Sequence, residues 1–404
     1  MSKILISLVI FICNINKILV INNPIKIYLD NYRLKNDLNE YQDRFEIVYN
    51  ASLYKAKNTL EQLVNVTSES NINNSFYVNS LKQKNIQEGQ IDPEIINGVK
   101  QLNDYDLIIY SKFGGRELDN CDESAKIIQE NSEGRPIIAI LVVNAKDYNN
   151  IEDNTNYTYK IEFYSTLFLH QFTHILGFTR TFLSKYPSIN FQNTSINRTE
   201  YISGKKIPKV EISSNNLLAF AHKYFNCNRI TGIELEEMSD ENISEECLNY
   251  IHWDARILLG EYMTSFSYVQ EQIISEFTLI ILEDTGLYKI NKYTGGLMRF
   301  GKNVGCSFFT EDCNYNLVNK SSSTQKTTKY SEFENEFCAS NTKTTCSSGR
   351  LSRGICDNYY SYSMDEKYAA YNRGWDLYGN EYADYCPISL SEKEEKKEKK
   401  NIVI

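Results

Sequence analysis

Short runs of apolar residues along this chain predict strands. Residues 24–29 read PIKIYL, residues 105–110 read YDLIIY and residues 136–143 read PIIAILVV, and turn-forming residues bound the second and third runs. Runs of this length are typical of strands buried in a sheet, whereas a helix usually needs about ten residues or more. The third run is the most apolar, so we expect it near the centre of the sheet.

Longer apolar segments predict helices. Leucines recur at helical spacing over 51–66, which favours a helix with one buried face. Residues 163–178 are apolar nearly all round, which is typical of a helix buried on every side. Residues 274–283 predict another buried helix, and Gly286 follows it as a helix-ending residue. Helices and strands together predict an α+β protein.

The remaining stretches are polar and predict irregular structure. Residues 179–245 are rich in Asn, Ser and Thr, and we interpret them as an irregular excursion over the surface. After residue 291 the share of Gly, Ser and Cys rises and periodicity fades, which favours a loop-rich region. Residues 392–400 alternate between Glu and Lys, as expected of a solvated tail.

The first residues have the order of a secretory signal. Lys3 supplies a positive charge, and residues 4–12 are apolar except for Ser7. This segment is too short to span a membrane, and no later segment reaches about 18 consecutive apolar residues. A buried N-terminal strand is the alternative interpretation. We expect a signal peptide over 1–20 and a secreted or cell-surface protein without a transmembrane segment, so that any attachment to the cell surface would be peripheral.

Cysteine usage agrees with an oxidising compartment. The chain has 10 Cys, and five of them fall between Cys313 and Cys386. A second zinc site is the alternative, but no CxxC pair occurs, so disulfide bonds are favoured. Asn-x-Ser/Thr sequons are also present and are compatible with a secreted glycoprotein. They lie at Asn50, Asn65, Asn73, Asn156, Asn193, Asn197, Asn242 and Asn319.

The net charge narrows the class of partner. The formal charge is −9 and the pI about 5.3. Proteins that bind nucleic acid need a basic surface to neutralise phosphates, so a nucleic-acid partner is disfavoured.

Two histidines provide the candidate chemistry. His170 and His174 are four residues apart on the predicted buried helix, which places both imidazoles on one face, as a shared zinc ion requires. Such a pair alone is a weak signal, because it also occurs by chance. Here two of only 4 His fall in an apolar helix, where an imidazole without a bond is costly. Gly177 then lets the chain turn away sharply.

These residues resemble the metzincin zinc peptidases. HQFTHILGF at 170–178 is similar to their HExxHxxG motif, but the third His is delayed by a long insertion. Such an insertion is the mark of the leishmanolysin family, whose His-Trp-acidic motif matches His252, Trp253 and Asp254. Further matches follow in the order of the family: EYMT at 261–264, LEDTGLY at 282–288, GC at 305–306, RLSRGICDNYYSYS at 350–363 and ADYCP at 383–387.

The resemblance implies a metzincin-type α+β fold and one zinc ion. The ligands would be His170, His174 and His252, with Gly177 at the helix end. Met263, in the segment 261–264 that matches the family's Met-turn, would form a hydrophobic floor. His222 is read as a surface or packing residue. A signal peptide over 1–20 is followed by an N-terminal catalytic subdomain over 24–178, with a sheet, helices and the zinc helix. A central, mostly helical subdomain over 179–297 contains the insertion, the third His and the Met-turn. A disulfide-rich C-terminal domain over 298–390 and a charged tail over 391–404 complete the expected organisation.

The family resemblance also implies disulfide pairs. These are Cys227–Cys306, Cys313–Cys386 and Cys338–Cys356. Cys121, Cys247 and Cys346 are left without assigned partners, and because an odd number of cysteines follows the expected signal peptide, at least one is expected to be free or intermolecular.

One position departs from the family motif at the centre of its chemistry. Gln171 stands where the family has the Glu that acts as general base. A carboxamide can hydrogen-bond water but cannot carry the proton, and Glu261 is the only weak candidate for a replacement. The sequence therefore predicts a secreted zinc metalloendopeptidase of leishmanolysin type whose own activity is severely reduced or absent. The alternative is a catalytically silent zinc-binding pseudopeptidase that acts in protein binding or cell adhesion.

Overall fold

The protein is described by a computed structural model. It covers residues 23–36, 46–114, 125–144, 157–197, 206–236, 250–265, 272–291, 298–310, 336–337, 345–347, 349–350, 353–356, 383–384, 386 and 388–391. The expected signal peptide over 1–20 and all but the first residue of the charged tail lie outside the described residues.

The strands within these ranges form four small sheets. They are β1 (Ile27–Asp30), β2 (Val64–Val66), β3 (Leu107–Gly114), β4 (Ala125–Glu130), β5 (Pro136–Asn144), β6 (Asn190–Asn197), β7 (Lys206–Ser213), β8 (Ile233–Glu234), β9 (Tyr288–Ile290), β10 (Thr345–Cys346), β11 (Arg353–Cys356) and β12 (Ser389–Ser391). The largest sheet has the order β1-β3-β5-β4, in which β1, β3 and β5 are parallel and β4 is antiparallel. The three strands predicted from apolar runs are confirmed, and β5 has a partner on both sides, as expected of a central strand.

The helices within the same ranges lie on both faces of this sheet and in the core beyond it. They are α1 (Tyr32–Asn36), α2 (Ala51–Leu63), α3 (Asn74–Lys82), α4 (Pro93–Ile96), α5 (Tyr157–Ile175), α6 (Arg180–Leu183), α7 (Asn215–Phe225), α8 (Ala255–Leu258), α9 (Glu276–Asp284) and α10 (Ser307–Thr310). Helices α2, α5 and α9 confirm the three predicted ones. Helix α5 begins six residues before the apolar run, because the run marks only the part of the helix that is buried.

Alternation along the parallel strands explains the layered core. In β3, Leu107 and Ile109 join the core that contains α2 and α5, whereas Ile108 and Tyr110 face the smaller core under α3 and α4. All four side chains are fully buried, and each such residue contributes about 1.5–3 kcal/mol by leaving water. Because both faces are covered, the strands read as continuous apolar runs.

The expectation of irregular structure over 179–245 was wrong for the part that the structure describes. Strands β6, β7 and β8 form an antiparallel sheet there. Helix α7 lies between β7 and β8 in the sequence. Strand β6 reads NFQNTSIN, so its polar residues give no alternation that would mark a strand. Helix α7 did carry a signal, because Ser214 caps it by accepting the N–H of Leu217, and buried Leu217, Ala221 and Phe225 recur every four residues. The described part of 179–297 thus contains strands as well as helices, and the mostly helical character expected for this subdomain stays a prediction.

Little of the C-terminal region beyond residue 298 falls within the described residues. It includes α10 and a small antiparallel sheet of β10, β11 and β12. Over the described ranges, no helix combines the length and the apolar character that crossing a membrane requires.

Candidate metal centre

Helix α5 positions the first two candidate ligands. His170 and His174 lie one turn apart and are buried, with 0% and 2% of their surface exposed. Their neighbours Phe172 and Ile175 are fully buried in the main core and fix the rotation of the helix. The helix thus presents both imidazoles inward on one face, as the spacing predicts.

Gly177 ends the helix in a way that supports His174. Its φ is +111°, and a Cβ at this position would lie 2.2 Å from the ring of Phe182. Only glycine fits here, since both the backbone angle and the space exclude a side chain. The sharp turn brings the carbonyl of Phe178 back to His174, whose Nδ1 donates to it at 2.8 Å.

His252 reaches the same point from a distant segment. Its carbonyl accepts the N–H of Glu236 at 2.9 Å, and the N–H of the next residue, Trp253, donates to the carbonyl of Met263 at 2.9 Å. The His252 segment is thus held between the residues that follow β8 and the turn that contains Met263. Trp253 is fully buried and anchors this segment in the core.

The three imidazoles converge through their Nε2 atoms. The Nε2 of His170 lies 3.0 Å from that of His174 and 3.2 Å from that of His252, and the latter two are 3.2 Å apart. The Nδ1 of His170 donates to the carbonyl of Tyr262 at 2.7 Å, as that of His174 does to Phe178. With Nδ1 protonated, the neutral imidazoles of His170 and His174 direct the lone pairs of Nε2 to the centre of the group.

This donor set fits a zinc ion. Three lone pairs that point at one another repel unless a cation lies between them. Zinc bonds of about 2.0–2.1 Å in a tetrahedron hold the ligand atoms about 3.3–3.4 Å apart, close to the distances found here. Three imidazole nitrogens also leave a fourth position for water or substrate, which is the arrangement of catalytic zinc sites and not of structural ones.

Burial keeps these imidazoles in the neutral form that a metal needs. It lowers the pKa of His170 to about 4, against a hydrogen bond to Tyr262 that raises it. Burial also lowers the pKa of His174 and of His252 well below the ordinary value, and the neighbouring imidazoles lower both further. Protons therefore compete weakly for these nitrogens at neutral pH.

Gln171 lies between the two ligands on α5. It is buried, with 8% of its surface exposed. Its side chain is a carboxamide, which has no basicity in the physiological range, so it cannot accept the proton that a general base must take up.

Two acidic residues, Glu162 earlier on α5 and Glu261 at the turn, make contacts of their own. Glu162 is more than half exposed and pairs with Lys55. Glu261 is fully buried, and both its carboxylate oxygens are occupied: Oε2 accepts the N–H of Met263, and Oε1 accepts the hydroxyls of Ser275 and Thr278 at 2.8 and 2.7 Å. Because both oxygens already accept hydrogen bonds, the structure disfavours Glu261 as a replacement base. Burial raises its pKa to about 7, whereas these hydrogen bonds lower it.

The other predicted residues of the site are placed as follows. Met263 is fully buried in the turn that also provides the Tyr262 carbonyl to His170. His222 lies half-buried on α7, where its Nε2 donates to the carbonyl of Ile230 at 2.8 Å, apart from the three-histidine group.

The structure also shows a buried ionic cluster that the sequence did not reveal. The carboxylates of Glu234, Asp254 and Asp384 lie close enough together to ligate a cation. The ammonium of Lys209 occupies their centre, with Nζ 3.1, 3.3 and 2.6 Å from their oxygens. Burial raises the pKa of Asp254, and Lys209 opposes the shift. No motif links these residues, since they come from four distant segments.

One predicted disulfide bond is described completely. Cys227 and Cys306 are bonded, with Cα atoms 4.9 Å apart, and join the segment after α7 to the start of α10. Cys386 is also disulfide-bonded. Cys121, Cys247, Cys313 and Cys338 lie outside the described residues, as does the side chain of Cys356. Cys346 is free and exposed.

Comparison with known families identifies what this arrangement resembles. A family model described as leishmanolysin, of the M8 peptidases, matches residues 42–396 and thus most of the chain. The match includes all three histidines of the group and Gln171.

Curated relatives carry names of the same kind. A leishmanolysin homolog of Crithidia fasciculata is 28% identical over 222 residues, which are 54% of this chain and 30% of the relative. A leishmanolysin-like peptidase of Caenorhabditis briggsae is 26% identical over 372 residues, 79% of this chain and 53% of the relative. One of Drosophila melanogaster is 34% identical over 97 residues, 24% and 13% of the two chains. The matched region thus spans about half or less of each relative.

Proposed function

This chain belongs to the leishmanolysin family of peptidases, and on that premise we propose that it is a secreted zinc metalloendopeptidase by descent, with severely reduced or absent activity of its own. The convergence of the Nε2 atoms of His170, His174 and His252 within 3.2 Å carries the metal part of the proposal. Bound there, zinc supplies a Lewis acid that lowers the pKa of water and polarises a peptide carbonyl. The buried imidazoles of His170, His174 and His252 would hold the ion.

The proposal of reduced activity rests on the residue at position 171. The hydrolysis of a peptide bond needs a group that takes a proton from water and delivers it to the leaving amine. Gln171 occupies the motif position of that group, but its carboxamide cannot take up and release a proton. Such general acid–base help contributes about 10²–10⁴-fold to the rate, so its loss removes most of the activity without removing the ligands.

The edge of the main sheet supports a polypeptide as the ligand. Strand β4 has β5 on one side and, among the described residues, no strand on the other. An extended peptide can add to such an edge through its backbone. The edge is near the metal site, because the hydroxyl of Tyr250 donates to the carbonyl of Ala125 in β4 while its ring packs edge-on against His174, with centroids 5.1 Å apart.

The Cys227–Cys306 disulfide supports a secreted or cell-surface location, because such bonds persist in oxidising compartments.

Of the sequons, Asn65 is a poor candidate for glycosylation. It is 6% exposed and donates to the side chain of Asn291 at 2.9 Å.

The experiment that tests this proposal combines metal analysis with a peptidase assay. The secreted protein is purified without added metal, its zinc content is measured, and it is incubated with a peptide library with and without a chelator. We expect one zinc per chain and little or no chelator-sensitive cleavage. Protein without zinc contradicts the site, whereas rapid chelator-sensitive cleavage contradicts the role assigned to Gln171.

A second candidate function is a silent binding protein that acts in protein binding or adhesion. The observation in its favour is the same carboxamide beside a preserved ligand set. Measurable peptide binding without any turnover, even after the motif Glu is introduced at position 171, distinguishes it from a weakened enzyme.

A further inference from the structure

Glu261 is a fully buried acid whose two carboxylate oxygens each accept hydrogen bonds. Its side chain is 0% exposed, and the donors are the N–H of Met263 and the hydroxyls of Ser275 and Thr278. Burying a carboxyl group in this way is costly unless each oxygen is hydrogen-bonded. Its position therefore needs an explanation beyond packing.

The direction of the hydrogen bonds requires a pure acceptor at this position. The indole N–H of Trp253 can only donate, and it does so to the Thr278 hydroxyl at 2.8 Å. We assign the proton of that hydroxyl to Oε1 of Glu261, and the N–H of Met263 donates to Oε2. A carboxylate accepts at both oxygens, whereas an amide would turn an N–H₂ group toward one of these donors.

This network reaches two of the three candidate zinc ligands. Through Thr278 it holds Trp253, which directly follows His252 in the chain. Through the N–H of Met263 it fixes the turn whose Tyr262 carbonyl orients the His170 imidazole at 2.7 Å. Glu261 therefore ties together α9, the turn and the segment of the third ligand.

We propose that Glu261 is a positioning residue that sets the orientation of His170 and His252 toward the metal, and that it acts through the turn and Thr278 and not as a base. The inference rests on the proposed zinc site. Partners that orient metal ligands commonly affect metal affinity by about 10–100-fold when they are removed.

The experiment compares four variants of the full chain. Glu261→Gln places a donor in the network, and Thr278→Val removes the hydroxyl at nearly constant shape. Thr278→Ser keeps the hydroxyl, and Glu283→Gln makes the same change as the first variant at an exposed position of α9. Zinc affinity is measured by competition with a chromophoric chelator. The visible absorption of the cobalt(II)-substituted protein reports ligand geometry, and thermal unfolding of the metal-free protein reports stability.

We expect Glu261→Gln and Thr278→Val to weaken zinc binding by about 10–100-fold and to alter the cobalt spectrum. Thr278→Ser and Glu283→Gln should match the unaltered protein. Variants that lose stability but keep the zinc affinity and the cobalt spectrum overturn the inference, because Glu261 would then be only structural. If Glu261→Gln does not fold, the contrast between Thr278→Val and Thr278→Ser decides. Absence of metal from the unaltered protein refutes the zinc site itself and the inference with it.

Discussion

The Nε2 atoms of His174 and His252 face each other at 3.2 Å, although 78 residues separate them in the chain. Two buried imidazole nitrogens at this distance need either a shared proton or a shared cation. A third nitrogen, that of His170, lies 3.0 Å from the first and 3.2 Å from the second, so that one shared proton is insufficient.

Replacement of a single ligand should therefore abolish stoichiometric zinc binding. We expect His252→Ala to weaken zinc affinity more than about 100-fold, beyond the effect of losing a mere supporting partner. His222→Ala is the control, because His222 donates to the carbonyl of Ile230 and lies apart from the three-histidine group. Metal content by mass spectrometry checks both. Equal zinc content in the two variants would contradict the assignment.

Zinc should be retained at unusually low pH. Because burial lowers the pKa of His170 to about 4, protons displace zinc from it only at a pH well below the usual histidine value. The metal-free protein should also lose stability as the pH falls from about 6.5 to about 4, since only the unfolded chain takes up the proton over that interval. Zinc release with a midpoint near pH 6.5 in equilibrium dialysis would argue against this environment.

Gly177→Ala should destabilise the fold and weaken zinc binding. The positive φ costs about 1–2 kcal/mol for a residue with a Cβ, and the contact with Phe182 adds about 1–3 kcal/mol. Gly286→Ala separates the two effects, since its φ is +79° but nothing lies within 4 Å of the added Cβ. Urea unfolding should show a larger loss for Gly177→Ala. Similar losses for both variants would show that the Phe182 contact relaxes easily.

The disulfide bond between Cys227 and Cys306 should contribute strongly to stability. It closes a loop of 79 residues, and loss of such a bond costs about 2–5 kcal/mol. Replacing both cysteines by Ser should lower the urea midpoint, whereas Cys346→Ser should not, because Cys346 is free. Peptide mapping without reduction checks the pairing and also identifies the partner of Cys386. A map that lacks the Cys227–Cys306 peptide would contradict the structure.

The elements that the sequence predicted are those that bury an apolar face within one segment. The α5 helix and strand β5 could be recognised because each is covered on both sides, and the spacing of His170 and His174 follows from helix geometry. Strand β6 could not, because its polar side chains leave only the backbone pairing with β7 to define it.

The parts of the site that the sequence left open depend on contacts between distant segments. The sequence alone marks Glu261 as a weak candidate for the base, and only the positions of Ser275 and Thr278 show that its carboxylate accepts their hydroxyls. Lys209 and Asp384 are 175 residues apart, and no pattern within either segment indicates their ion pair.

Gln171→Glu tests directly whether the missing carboxylate at position 171 accounts for the reduced peptidase activity. If the ligands and the β4 edge are intact and only the proton carrier is missing, this one change should create or raise peptidase activity by about 10²–10⁴-fold. Zinc content should stay the same, because position 171 lies on the helix between the ligands without being one of them. Gln171→Leu is the matched control, since it fills a similar volume without carrying a proton and should stay inactive. A chelator should abolish the gain, because hydrolysis requires the metal. A Glu variant that binds zinc but cleaves no peptide in a library would show that the cleft itself no longer accepts substrate, and would favour the binding protein.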